Sequence, residues 1–228
     1  IYISKKDAFN KYVNFIKILK NKSQKINKFA YNASDCCFNG IDIIDQLRKR
    51  FIKISKINNQ NRTVLSFLKK NILNTINIEI KKSKANFSQY FNKNYKIKNA
   101  IFSPSDFGFH NIINSHNGIN FIDFEYSGLD DPAKLLCDFI IRPNNKLTIY
   151  LKKYWFKKTL NLFEDDKSIK IRLINVINLY ALCWVLIILN DTNKDLKKNQ
   201  LDKLLTESKT ILDNISKNYY KAILYECI

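Results

Sequence analysis

The sequence predicts a mainly α-helical fold with one small β-hairpin. Three observations carry this. Apolar residues recur at helical spacing along both flanks of the chain. Three of the four glycines (Gly108, Gly118, Gly128) and all three prolines (Pro104, Pro132, Pro143) fall between positions 104 and 143. Within that irregular centre, Asn117 and Gly118 form a strong hairpin-turn signal between two isoleucine-rich runs.

Taken in order, residues 8–20 place Phe9, Tyr12, Val13, Phe15, Ile16 and Leu19 on one helical face. A turn at Asn39 and Gly40 precedes a second helix over 41–57, through Ile44, Leu47, Phe51 and Ile54. A third helix is predicted over 64–80, carrying Leu65, Leu68, Ile72, Leu73 and Ile76. Strands are predicted at 112–113 and 119–122. Asp131 followed by Pro132 reads as an N-cap with proline at the first helical position. Helices then resume over 147–163, 168–189 and 200–222. The 228 residues suit one domain: a helical part (1–98), an irregular segment (99–143) and C-terminal helices (144–228). The chain opens on Ile1 and contains no Met, so a piece of a longer protein is expected.

The formal charge is +19, from 39 Lys+Arg against 20 Asp+Glu. Such a charge suits a polyanion partner, but the basic residues are spread over 17–28, 49–56, 69–84, 152–158 and 194–203. Lysine dominates over the arginine that reads bases and phosphates in a fork. Lys, Asn and Ile are abundant together, a compositional bias, so no specific nucleic-acid partner is expected. The five cysteines (Cys36, Cys37, Cys137, Cys183, Cys227) fit no zinc spacing and read as reduced thiols of a cytoplasmic protein. The most apolar run, 179–189, is too short to span a bilayer, so no membrane partner is expected.

Chemistry concentrates in the centre. Folding the chain at Gly118 brings Asn111 opposite Asp123, within one residue of register, at the open end of the hairpin. Asp106 lies on the loop leading into that end. Glu125 reaches the same cluster if the chain stays extended. Oxygen donors gathered this way suit magnesium, which takes one or two protein carboxylates together with phosphate oxygens and water. Asp106 precedes Asn111 by five positions, the Asp-x-x-x-x-Asn spacing of a kinase catalytic loop, with a metal-binding Asp following. In that chemistry one carboxylate orients the acceptor hydroxyl and takes its proton, while an amide and a second carboxylate hold the metal. Alone, Asp106 would read as a turn or cap residue, His110 as structural, and His116 as a hairpin-tip residue without a role.

Three blocks in order make the pattern specific: Ser-Pro-Ser-Asp-Phe-Gly-Phe-His-Asn ending at Asn111, Phe-Ile-Asp-Phe-Glu-Tyr starting at Phe121, and Asp-Asp-Pro-Ala-Lys from Asp130 with Cys-Asp-Phe from Cys137. Together they resemble the aminoglycoside phosphotransferase and choline kinase family. The resemblance implies the C-terminal lobe of a protein-kinase-like α+β fold. It implies a small-molecule kinase using ATP and Mg2+, with Asp106 as catalytic base, Asn111 and Asp123 at the metal, and Asp138 bracing the catalytic loop; Glu125 joins the metal candidates by its position two residues after Asp123. Glu125, standing where protein kinases have Gly, argues against a protein kinase. One departure is Pro104, where the family usually has His; a proline cannot donate a hydrogen bond.

A kinase also needs a Gly-rich loop over the phosphates and a Lys held by a Glu. Only Gly40 precedes the catalytic segment, so the N-terminal lobe is expected to be absent from this chain, and the chain alone to be poorly active. The acceptor is expected to be a small-molecule hydroxyl on a sugar, an amino alcohol or an aminoglycoside. The positive charge favours a neutral or anionic sugar-like one, met by helices 147–163 and 168–189. Two other readings remain: a catalytically inactive kinase-like scaffold, and a basic helical nucleic-acid-binding protein.

Overall fold

The structure, a computed structural model, describes residues 5–26, 30–97, 99–115, 118–193 and 196–228. Its helices are α1 (Lys5–Ile26), α2 (Gly40–Ile57), α3 (Arg62–Phe67), α4 (Asn74–Asn86), α5 (Pro132–Ile141), α6 (Ile149–Leu162), α7 (Ile169–Asn190), α8 (Lys198–Ser216) and α9 (Tyr219–Tyr225). Its strands are β1 (Ile101–Ser103), β2 (Ile112–Ser115), β3 (Gly118–Phe121) and β4 (Gly128–Asp130). Contacts gather the chain into two units, one from 1–38, 96–173 and 223–228, the other from 39–95 and 174–222.

The first unit is built on an aromatic core. Phe9, Tyr12 and Ile16 of α1 are fully buried, as their helical spacing predicts. Phe139 of α5 stacks on Trp155 of α6 at 3.9 Å between ring centroids, and Tyr12 lies 4.7 Å from Phe107 and 5.1 Å from Phe139. The Trp155 indole N–H donates to the Leu136 carbonyl at 3.2 Å, so burying the ring strands no polar atom. The Tyr12 hydroxyl donates to the Gly108 carbonyl at 2.8 Å, tying the helix to the central loop.

Two antiparallel pairs lie in this unit. β2 and β3 form the predicted hairpin, with Ile112 opposite Phe121 and Ser115 opposite Gly118. Its tip, His116 and Asn117, lies outside the described residues. The second pair, β1 with β4, sets Ile101 opposite Asp130 and was not anticipated as strands. Residues 31–34 run along the far side of β4, Leu129 donating to Tyr31 O at 2.8 Å and accepting from Ala33 N at 3.0 Å. That close approach explains Gly128, which sits at φ 159° and whose missing Cβ would strike the backbone of Asn32 and Ala33.

Asp131 caps α5 by accepting from Ala133 N at 2.8 Å, with Pro132 at the first helical position, as the sequence implies. The same carboxylate takes two bonds from Arg172, Nε to Oδ2 and Nη2 to Oδ1, both at 3.0 Å. Arg172 also bonds Asp166 at 2.7 Å and is only 1% exposed. Burial works against its charge, but the two aspartates more than offset that and raise its pKa.

In the second unit, Asn39 and Asp42 form a reciprocal capping box at the start of α2. The helix predicted over 64–80 is longer and not uniform. α3 passes into a π-helical turn, Leu68–Leu73, and then into α4. Val64, Leu68, Ile72 and Ile76 are all buried at four-residue intervals. On a straight α-helix each such step drifts by about 40°, and the wider turn takes that drift back. Glu79, 2% exposed, is neutralised by Lys82 at 2.9 Å and bonded by Asn178 at 2.8 Å. The helix predicted over 200–222 is broken into α8 and α9 at Asn218, which adopts φ 52°, a left-handed stop that apolar spacing does not reveal.

α7 is 22 residues long, with a mean hydropathy of 2.1 over its most apolar window. By length and composition alone it could cross a membrane; 72% of that window is buried inside the protein, as in a core helix.

Candidate active site

The chain leaves β1 at Ser103 and turns sharply. Ser105 takes φ 63°, and Asp106 N donates to the Pro104 carbonyl at 2.8 Å. Ser103 Oγ accepts from Ser105 N at 3.0 Å, which holds the turn. The result separates two neighbours: Phe107 enters the aromatic core, 5% exposed, while the Asp106 carboxylate stays 31% exposed. A 3-10 turn over Phe109–Asn111 then delivers the chain into β2.

Asn111 is buried, and its side-chain Nδ2 donates to the Asp106 carbonyl at 2.8 Å. With the nitrogen so committed, the amide oxygen is the face left for a cation. At the hairpin's open end Ile122 N donates to Asn111 O at 3.1 Å, so Asn111 faces Ile122 and Asp123 follows immediately. Asp123 is exposed and takes φ 64°. Two non-glycine residues at positive φ, Ser105 and Asp123, thus flank one small region, a kind of strain that clusters at functional sites. Glu125 is exposed, and its carboxylate accepts from the Tyr126 hydroxyl. That bond raises the Tyr126 pKa, with Asp123 and Asp106 adding to the rise, so the fields of all three carboxylates reach this one phenol.

The loop is gripped from α5. Arg142 Nη2 pairs with Asp106 Oδ1, and His110 Nε2 lies 3.2 Å from Asp106 Oδ2. Burial alone would raise the Asp106 pKa; the Arg142 charge and the hydrogen bonds from His110 and Arg142 hold it below the ordinary carboxylate value. Asn145 adds a second grip, accepting from Phe109 N at 3.3 Å and donating to Phe139 O at 2.8 Å. Asp138, the residue expected to brace the loop, lies on α5 and accepts from Lys134 at 2.8 Å. Lys134 also lies 3.5 Å from Asp130, whose Oδ1 accepts from Cys37 N and Asp131 N. Burial drives Asp130 up to about 7 in spite of these partners.

Sequence reasoning therefore missed Arg142 and Asn145 and treated His110 as structural. His110, four residues after Asp106 on one loop, carried a local signal. Arg142 carried none beyond its place before Pro143 at a helix end.

Asn111 and Asp123 offer one amide oxygen and one carboxylate, a donor set that magnesium completes with phosphate oxygens and water. Among the described residues no group of three or more His, Cys, Asp and Glu could hold a metal ion by itself. An amide oxygen and a carboxylate are donor types that fit a magnesium ion shared with a phosphorylated ligand.

No protein-family model and no curated protein matches the chain. Solved structures do. An ethanolamine kinase from Plasmodium vivax superposes with a TM-score of 0.60 at 13% identity, over 97% of this chain and 63% of its own. A choline kinase from Cryptosporidium parvum Iowa II superposes with a TM-score of 0.57 at 14% identity, over 92% of this chain and 66% of its own. The chain spans a little under two thirds of the length of each. Nearly its whole length has the fold of the corresponding part of these protein-kinase-like structures.

Proposed function

We propose that the chain is the lobe of a small-molecule kinase that carries the catalytic base and the metal ligands, and that the whole protein transfers the γ-phosphoryl group of ATP to a hydroxyl. The observation that carries this reading is the Asp106–Asn111 unit. The buried Asn111 amide donates to the main-chain carbonyl of Asp106 at 2.8 Å, five residues back, which fixes the loop that presents the part-exposed Asp106 carboxylate beside Asp123 at the hairpin's open end. Kinase-fold neighbours over nearly the whole chain support it.

In this reading Asp106 accepts a hydrogen bond from the acceptor hydroxyl and takes its proton as the oxygen attacks phosphorus and ADP departs. Asn111 Oδ1 and Asp123 would hold magnesium, with Glu125, two residues on, as a further candidate ligand. Magnesium supplies charge neutralisation for the phosphates. The depressed pKa of Asp106 keeps it ionised at neutral pH, the state in which it can orient a hydroxyl. Asp138 supports the loop through α5, the helix that also carries Arg142. The acceptor is a small alcohol on an amino alcohol or a sugar, and the compartment is cytoplasmic. The test is phosphoryl transfer from ATP by the whole protein to a panel of choline, ethanolamine, sugars and aminoglycosides, with and without magnesium. Transfer that needs magnesium supports the reading, and its absence in folded protein favours the inactive scaffold.

A further inference from the structure

We infer that Arg142 and His110 are positioning residues that clamp the two oxygens of Asp106, and that Gly108 is the residue that leaves them room. The inference rests on the kinase reading above and goes beyond it, because nothing in the sequence motif assigns Arg142 or Gly108 a part.

The clamp is a closed triangle. Arg142 Nη2 pairs with Asp106 Oδ1, His110 Nε2 lies 3.2 Å from Oδ2, and Arg142 Nη1 lies 3.4 Å from His110 Nδ1. Asp106 sits on a loop and is part exposed, so without partners its carboxylate would sample several rotamers. A guanidinium fork and an imidazole on opposite oxygens restrict it to one. Arg142 is itself held. It ends α5, its N–H donates to Asp138 O at 3.1 Å, and Pro143 stops the helix directly after it. Its side chain is 13% exposed.

Gly108 supplies an independent observation. Its backbone, φ −152° and ψ 170°, is ordinary extended chain that any residue adopts. The glycine is therefore not required by conformation. A Cβ there would lie 2.5 Å from Arg142 Nη1 and 2.8 Å from the His110 ring. What the missing Cβ provides is space for the two clamping side chains. The guanidinium and the ring are ends of side chains that can move, so alanine at 108 displaces the clamp without forcing the backbone.

The experiment uses the whole protein and three variants, Gly108→Ala, Arg142→Met and Arg142→Lys. The expected result for Gly108→Ala and Arg142→Met is a kcat about 10- to 100-fold lower, with KM for ATP and acceptor nearly unchanged. Melting temperature should hold for Gly108→Ala. Lysine at 142 should recover part of the methionine loss, since it restores charge but not the fork. A second readout needs no turnover: the 15N side-chain resonance of the Arg142 guanidinium should shift on Asp106→Asn and on Gly108→Ala. Unchanged or increased kcat, or a loss carried by KM alone, in an active protein overturns the positioning role and leaves the kinase reading standing. A folded wild type that transfers no phosphoryl group overturns both. A guanidinium resonance indifferent to Asp106→Asn overturns the clamp itself.

Discussion

The side-chain amide of Asn111 donates to the main-chain carbonyl of Asp106 at 2.8 Å, so the candidate metal ligand holds the backbone of the candidate base. The two are one mechanical unit. Asn111→Ala should therefore damage both metal binding and loop geometry. We expect phosphoryl transfer by the whole protein to fall about 100-fold or more, and raising magnesium should recover only part of it. Asn111→Asp, which cannot donate to the carbonyl but can bind metal, separates the two contributions. Steady-state kinetics against magnesium concentration checks this.

Arg172 joins the cap of α5 to Asp166 in a buried pairing. Arg172→Met leaves two acidic groups buried without their cation. The expected loss is about 3–5 kcal/mol of unfolding free energy, read by urea denaturation, and far-UV circular dichroism should show partial loss of helix. Replacing the whole group (Arg172, Asp131 and Asp166) with apolar residues should cost less than removing the arginine alone.

Phe139 stacks on Trp155 and lies against Phe9, Tyr12, Phe107 and Phe109. Phe139→Ala opens a cavity in the middle of this cluster. The expected cost is about 3–5 kcal/mol, and Phe139→Leu should cost less. Because Phe107 adjoins Asp106 in the chain, the truncation should also loosen the loop, seen as faster amide exchange at 106–108.

Asp130 is fully buried, and burial raises its pKa from 3.8 to about 7. The folded state therefore holds a proton that the unfolded chain has released. Between about pH 4 and pH 7 the folded state binds more protons, so this group's contribution to stability falls as pH rises through that window and levels off above it. Asp130→Asn removes that component. A melting-temperature profile from pH 4 to 8 should be flatter in the variant.

Much of this was legible in the sequence. Phe9, Tyr12 and Ile16 disclosed α1 by spacing, and Asp131 with Pro132 disclosed the start of α5, because these signals are local. Gly118 fixed where Asn111 meets the end of β3 to within one residue. The pair β1–β4 was not legible, since three-residue strands are too short to show a period of two. Nor was the break at Asn218, where a single left-handed residue interrupts a continuing apolar face. Arg142 lies 36 positions from Asp106, and only the fold shows that the end of α5 comes back over the loop.

The most direct test is magnesium-dependent phosphoryl transfer by the whole protein against an Asp106→Ala control, using choline, ethanolamine, sugars and aminoglycosides as acceptors. The kinase reading predicts transfer to at least one hydroxyl acceptor, lost without magnesium and reduced about 100-fold or more in the control. Transfer equal in both proteins, or none from a folded wild type, would contradict it.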